Sequence, residues 1–313
     1  MGHGADLDRS VKSDDHGRMR TDVNGIEIEY ETMGDPDDPA LLLVMGLGAQ
    51  MISWDDEFCL GLVDRGFHVI RFDNRDVGLS TKITVEPEVD LAAVLTEAMA
   101  GGTPSAPYLL ADMAADAIGL LDALDIEVAH VVGASMGGMI AQSIAIAAPE
   151  RVATLTSIMS TTGDGDVGQP HPEVLSVLMA PPAADREAYV AQSVEGSRAI
   201  GSPEHFDEAR AARTAGAGYD RCYHPAGVAH QLVAIVASPS RSEALSHLDR
   251  PTLVIHGTDD PLVDPSGGRR TAEVIPGAEL LMLEGMGHDL PVHYWPPVIE
   301  AITNLAATSA VGA

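Results

Sequence analysis

Lysine is almost missing from this 313-residue chain: Lys12 and Lys82 are its only two. Together with arginine they make 18 basic residues against 47 acidic ones, a formal net charge of −29. A field of that sign repels phosphate backbones and anionic membrane faces, so nucleic acid is not expected as a partner. Aromatics are scarce at 4%, which leaves Leu, Val, Ile, Ala and Met to fill the interior. Cysteine is limited to Cys59 and Cys222, whose separation fits neither a metal motif nor a disulfide framework. No run approaches the roughly 18 apolar residues that a membrane span needs. Residues Met1 to Arg20 lack the apolar segment of a secretory signal and read as a solvated tail. These absences point to a cytoplasmic protein without a membrane span, and a monomer or homodimer is expected.

What is present is a 45% apolar chain, ample for one large core. Asn24-Gly25 between Arg20–Val23 and Ile26–Glu31 is a hairpin signal. An apolar run at Ala40–Met45 and a strand at Val69–Phe72 flank a helix over Trp54–Arg65, and residues 83 to 105 read as irregular. A helix over Leu110–Leu124, a strand at Ala129–Val132, a helix over Met139–Ala148 and a strand near Thr154–Met159 follow. Between about Ser160 and Ser240 only helical segments are legible, at Pro172–Leu178, Ala184–Ile200 and Phe206–Thr214. Alternation resumes with Thr252–His256, a helix around Gly268–Val274, the strand Glu279–Leu283 and a helix over Tyr294–Ala306. Such alternation predicts an α/β fold with a mostly parallel sheet covered on both faces. The strandless stretch predicts an inserted helical cap. The expected division is a tail at 1–20, a core at 21–159 and 241–313, and a cap at 160–240.

Gly133-Ala134-Ser135-Met136-Gly137 lies where the Ala129–Val132 strand meets a helix. A tight turn there needs small residues two before and two after the serine, the pattern of a nucleophile elbow. A glycine-rich turn with an incidental serine, or a phosphate cradle, shares the pattern. A serine hydroxyl becomes a nucleophile only beside a base that an acid orients. His288, in Gly285-Met286-Gly287-His288 just past the strand Glu279–Leu283, is the candidate base among twelve histidines. Asp260, in Gly257-Thr258-Asp259-Asp260-Pro261 at the end of another strand, is the candidate acid, with Asp259 its competitor. Parallel strands bring their carboxyl ends to one edge, so Ser135, Asp260 and His288 can converge. An oxyanion needs fixed N–H donors; the Met136 amide at a helix N-terminus and the Leu47 amide in Met45-Gly46-Leu47-Gly48 are candidates. The cluster Asp73-Asn74-Arg75-Asp76-Val77-Gly78-Leu79-Ser80 reads as a loop tied by an arginine–carboxylate fork rather than as a reacting group.

Taken together these pieces resemble the α/β-hydrolase superfamily over about residues 22 to 307. Within it they are similar to the serine esterases of the group containing aclacinomycin methylesterase and the mycobacterial lipase/esterases. The resemblance implies an α/β-hydrolase fold with an eight-stranded, mostly parallel sheet. It also implies Ser135 as nucleophile, Asp260 as acid, His288 as base, and Leu47 and Met136 as oxyanion donors. One departure is Met45, which stands where many relatives carry a histidine before the loop glycine. The expected activity is hydrolysis of small to medium carboxylic esters through an acyl-enzyme, with no cofactor and no metal. Trp54, Met159, Leu175, Leu178 and Met179 are expected to line the substrate pocket. The alternatives are thioester, lactone or carbon–carbon bond hydrolysis on the same triad, cofactor-free perhydrolysis, or a non-catalytic small-molecule receptor.

Overall fold

A computed structural model describes residues 12–13, 19–86, 88–178 and 180–309. The strands are β1 (Lys12–Ser13), β2 (Met19–Val23), β3 (Ile26–Met33), β4 (Ala40–Val44), β5 (His68–Phe72), β6 (Ala129–Ala134), β7 (Val152–Ile158), β8 (Thr252–Gly257) and β9 (Glu279–Leu283). They form one sheet in the order β1-β2-β3-β5-β4-β6-β7-β8-β9. From β5 onward every neighbouring pair is parallel, whereas β1 to β3 attach antiparallel at one edge. Strands β2 to β9 are the expected eight-stranded sheet, and the two-residue β1 adds to its edge. Because β1 pairs with Met19 and Arg20, the chain joins the sheet before residue 21, earlier than the expected end of the tail. Residues 1–11 and 14–18 of that tail lie outside the described residues.

The sheet's two faces follow from side-chain alternation. On β4, Leu42 and Val44 pack into one apolar cluster and Leu41 and Leu43 into the other. Before β7 come α1 (Asp56–Val63), α2 (Leu91–Met99), α3 (Leu110–Ala123) and α4 (Met136–Ala147); α1, α3 and α4 pack buried residues onto these faces, whereas α2 adds none to either cluster. Between β7 and β8 come α5 (Leu175–Leu178), α6 (Arg186–Ile200), α7 (Glu208–Arg221), α8 (Pro225–Ala237) and α9 (Ser242–Leu245), with no strand among the described residues there. Helices α10 (Ser266–Val274) and α11 (Trp295–Ser309) alternate with and follow β9. Within the stretch read as irregular, α2 forms from Asp90, whose side chain accepts the Ala93 amide as an N-cap. No described helix is long and apolar enough to cross a membrane.

The strand order places the loops that matter side by side. β4 and β6 are neighbours with Val44 opposite Gly133, so the loop after β4 abuts the turn after β6. β8 and β9 are neighbours with Gly257 opposite Leu283, which sets the loop carrying Asp260 beside the one carrying His288.

Candidate active site

Ser135 occupies the turn between β6 and α4 with φ 57° and ψ −122°, a left-handed-side backbone that a non-glycine residue seldom adopts. The glycines around it are needed for space. A Cβ on Gly133 would lie 2.0 Å from the Gly137 carbonyl oxygen, and one on Gly137 would lie 2.1 Å from that of Val44. The turn is held by the Ser135 amide donating to Ile158 O at 2.9 Å and by the Ser160 hydroxyl donating to Ser135 O at 2.8 Å.

His288 bridges the two remaining residues. Its Nε2 is 2.9 Å from Ser135 Oγ, and its Nδ1 is 2.8 Å from Asp260 Oδ2. A carboxylate can only accept, so Nδ1 carries the proton and Nε2 is left to accept from the serine hydroxyl. Asp260 is buried, and its other oxygen, Oδ1, accepts the Leu262 and Val263 amides, each at 2.9 Å. Burial alone pushes this carboxyl up. The charges and hydrogen bonds of His288 and His256 outweigh that and hold it well below the usual carboxylate range. Asp259, the competitor, instead accepts the Thr258 hydroxyl away from the histidine.

The histidine loop is clamped by the chain leaving α6. The His288 amide donates to Ile200 O at 2.6 Å, and the Gly287 amide donates to Ser202 Oγ at 3.0 Å. Ser202 in turn donates from its amide and hydroxyl to Asp289 Oδ1, at 3.0 and 2.5 Å. None of these contacts was visible in the sequence, because Ser202 lies 87 residues from Asp289.

The glycine loop after β4 reaches the serine directly: a Cβ on Gly46 would lie 3.1 Å from Ser135 Cβ. Met45 is buried, and its carbonyl accepts from Asn74 Nδ2 at 2.9 Å. Gln231 of α8 accepts the Gly48 amide and donates to Arg75 O, both at 2.8 Å. Asp73 accepts the Met51 and Leu79 amides, and Arg75 forks onto Asp116 at 2.6 and 2.7 Å. The loop from Asp73 to Ser80 is thus a scaffold behind the glycine loop. The Met136 amide opens α4, where the helix dipole favours negative charge.

Beside this group lies a cavity of about 600 Å³. Its walls are the Leu47–Gln50 loop, one face of α6 (Tyr189, Ser193, Ser197), one face of α7 and the segment Asp289–His293. The α7 face carries Arg210, Ala211, Thr214, Ala215 and Gly218, a helical repeat of small and polar residues that begins beyond the N-cap Asp207. Of the expected wall residues, Trp54, Met159 and Leu175 do not line this cavity. Trp54 is buried in the core and stacks on Phe58 at 5.6 Å between ring centroids. Met159 is buried in the same cluster, and Leu175 is exposed without lining the cavity. The Leu178 side chain and Met179 lie outside the described residues. Among the described residues no group of three or more His, Cys, Asp or Glu could hold a metal ion.

A parallel sheet with an aspartate, a histidine and an elbow serine at its carboxyl edge defines a protein of the α/β-hydrolase class. The chain belongs to the alpha/beta hydrolase fold family, whose model matches residues 39–292. It is 33% identical to the rhodomycin D methylesterase DnrP of Streptomyces peucetius over 87% of this chain and 92% of that protein. It is 26% identical to 3-oxoadipate enol-lactonase 2 of Acinetobacter baylyi, over 83% and 85% of the two chains. Among solved structures, the enol-lactonase from Burkholderia xenovorans LB400 superposes with a TM-score of 0.71 at 20% identity, covering 92% of this chain and 99% of that one. A thermophilic esterase from Thermogutta terrifontis gives 0.68 at 22% identity, covering 93% and 98%.

Proposed function

We propose that the protein is a serine carboxylesterase acting on small to medium carboxylic esters. The observation that carries this reading is the unbroken chain from Ser135 Oγ through His288 to Asp260, with contacts of 2.9 and 2.8 Å. His288 Nε2 takes the hydroxyl proton as Ser135 Oγ bonds to the ester carbonyl carbon. The tetrahedral oxyanion is met by the Leu47 and Met136 amides. Collapse breaks the bond to the alcohol oxygen, which leaves with the proton held by His288. Water repeats the sequence on the acyl-enzyme, giving its proton to His288 and releasing the acid and free Ser135. Asp260 stays ionised and holds the imidazole tautomer throughout.

Residues 160–240 act as a cap domain that walls the cavity over the core at 21–159 and 241–313. A volume of about 600 Å³ fits a small-molecule ester. The methylesterase relatives support a small leaving alcohol, in which case the cavity holds the acyl portion. The test is hydrolysis of a series of p-nitrophenyl acyl esters combined with labelling by a fluorophosphonate. Hydrolysis and labelling at Ser135 are expected in the native protein and neither in Ser135→Ala, with the melting temperature unchanged. Hydrolysis that survives in Ser135→Ala overturns the reading.

A further inference from the structure

His256, the penultimate residue of β8, is fully buried four residues before Asp260. Its Nε2 lies 2.8 Å from the Val263 carbonyl oxygen. A carbonyl only accepts, so Nε2 must bear the hydrogen and Nδ1 is bare. The same Nε2 is 3.3 Å from Asp260 Oδ2, the oxygen that faces His288. The Nε2–H is therefore a three-centre donor with its short limb on Val263 and its longer limb on the carboxylate. Nδ1 is buried without a partner, and Gly268 of α10 packs so closely that a Cβ there would lie 2.4 Å from it. A buried nitrogen left bare is costly, and the local fold keeps the ring in this orientation regardless.

We infer that His256 is a positioning residue for the acid of the triad, a second imidazole that donates to the Asp260 oxygen His288 uses. The inference rests on the assignment of Ser135, His288 and Asp260 above. With His256 in place, Asp260 accepts from four donors: the Leu262 and Val263 amides on Oδ1, and His288 and His256 on Oδ2. Four is the full accepting capacity of a carboxylate. The carboxylate can neither rotate nor take up a proton easily. The His256 donor also draws charge from Oδ2, which moderates how strongly Asp260 stabilises the protonated His288. Asp289 also interacts with Asp260 and His288, and it is occupied by Ser202. The facing residue of α10 is the uncharged Gly268.

The experiment compares pH profiles of kcat/KM for the native protein, His256→Leu and His256→Gln, with Ser135→Ala as the blank. Leucine removes the donor; glutamine places an amide N–H near the position of Nε2. The acid limb of His256→Leu is expected to move to higher pH by about half a unit or more, with kcat down several-fold, and His256→Gln is expected to restore most of both. An unmoved acid limb in folded His256→Leu overturns the inference, as does a His256→Gln variant that behaves like His256→Leu. Should His256→Leu not fold, the native protein decides: 15N NMR of the histidine rings at pH 8 is expected to show His256 as the Nε2–H tautomer, and an Nδ1–H tautomer overturns the inference. Activity in Ser135→Ala, by contrast, would remove the underlying triad and not this relationship alone.

Discussion

The Ser202 hydroxyl donates to Asp289 Oδ1 at 2.5 Å while accepting the Gly287 amide at 3.0 Å, so one side chain of the inserted helical region grips both sides of His288. The segment between β7 and β8 thereby holds His288, the proposed base, as well as walling the cavity. Burial raises the Asp289 carboxyl, and the Ser202 bonds pull it back. Ser202→Ala deletes one donor and one acceptor together. The expected cost is about 1–3 kcal/mol in chemical denaturation, from the polar groups left unpaired. Loosening of the imidazole should lower kcat/KM about tenfold. Full activity in Ser202→Ala would show that the clamp is idle.

Asp260→Asn tests the acid through hydrogen-bond polarity. The asparagine oxygen can still accept the Leu262 and Val263 amides, which turns its NH2 toward Nε2–H of His256 and Nδ1–H of His288. Two donors then face a donor, and His288 must take the other tautomer, with its Nε2 proton aimed at Ser135. A fall in kcat of about 10³–10⁴-fold is expected with the fold retained. A loss below tenfold in steady-state hydrolysis would remove Asp260 from its role.

How far the sequence could be read followed from where each residue gets its meaning. Ser135, Asp260 and His288 were legible because each sits just past a parallel strand, and a parallel sheet gathers such positions. The β9 limits, Glu279–Leu283, agree between pattern and structure for the same reason. The cavity was not legible. Trp54 and Met159, expected as walls, are large apolar side chains that the core consumes instead. One wall of the cavity is the small and charged face of α7, whose sequence reads as a solvated helix until α6 and the Leu47–Gln50 loop are placed against it. Helix α2 was hidden by Pro87 and Pro104 around it, and α8 by apolar residues on most sides, which blur the helical period.

The elbow should tolerate no enlargement. Gly137→Ala puts a methyl 2.1 Å from Val44 O, and Gly133→Ala puts one 2.0 Å from Gly137 O; both obstacles are backbone. Either the strand pairing of β4 and β6 yields or α4 shifts. Each variant is expected to lose more than about 3 kcal/mol in urea unfolding, the range of severe overpacking. A stable, fully active Gly137→Ala would contradict the close approach.

Asp164 gathers the segment after β7, the start of α9 and α10. It accepts from Ser240 at 2.5 Å, Ser242 at 2.6 Å and Arg270 at 2.7 Å. Burial opposes its ionisation, but these donors prevail and lower its pKa to about 2 from 3.8. A depressed folded-state value means that its contribution is fully present above about pH 4 and is lost as pH falls toward 2. Asp164→Asn should therefore be less stable than the native protein at pH 7, with the gap closing in acid. Urea midpoints measured from pH 7 to pH 2.5 check this; a gap independent of pH would mean that its charge is irrelevant.

Salt should stabilise the molecule. Of the few cations, Arg71, Arg75 and Arg241 are buried, and Lys82 is spent on the carbonyls of Val77, Gly78 and Ser80. Carboxylates such as Asp35, Asp37, Glu57 and Asp64 remain exposed, so most of the negative charge lies at the surface. Their mutual repulsion acts over the Debye length, about 10 Å at 0.1 M salt and about 3 Å at 1 M. Raising NaCl from about 0.05 to 1 M should remove most of that repulsion from the folded state, where the charges are held closest. A rise in melting temperature of at least about 2–4 °C is expected, the shift that roughly 1 kcal/mol gives a domain of this order of size. A Tm that stays flat or falls would mean that the acidic surface costs the folded state nothing.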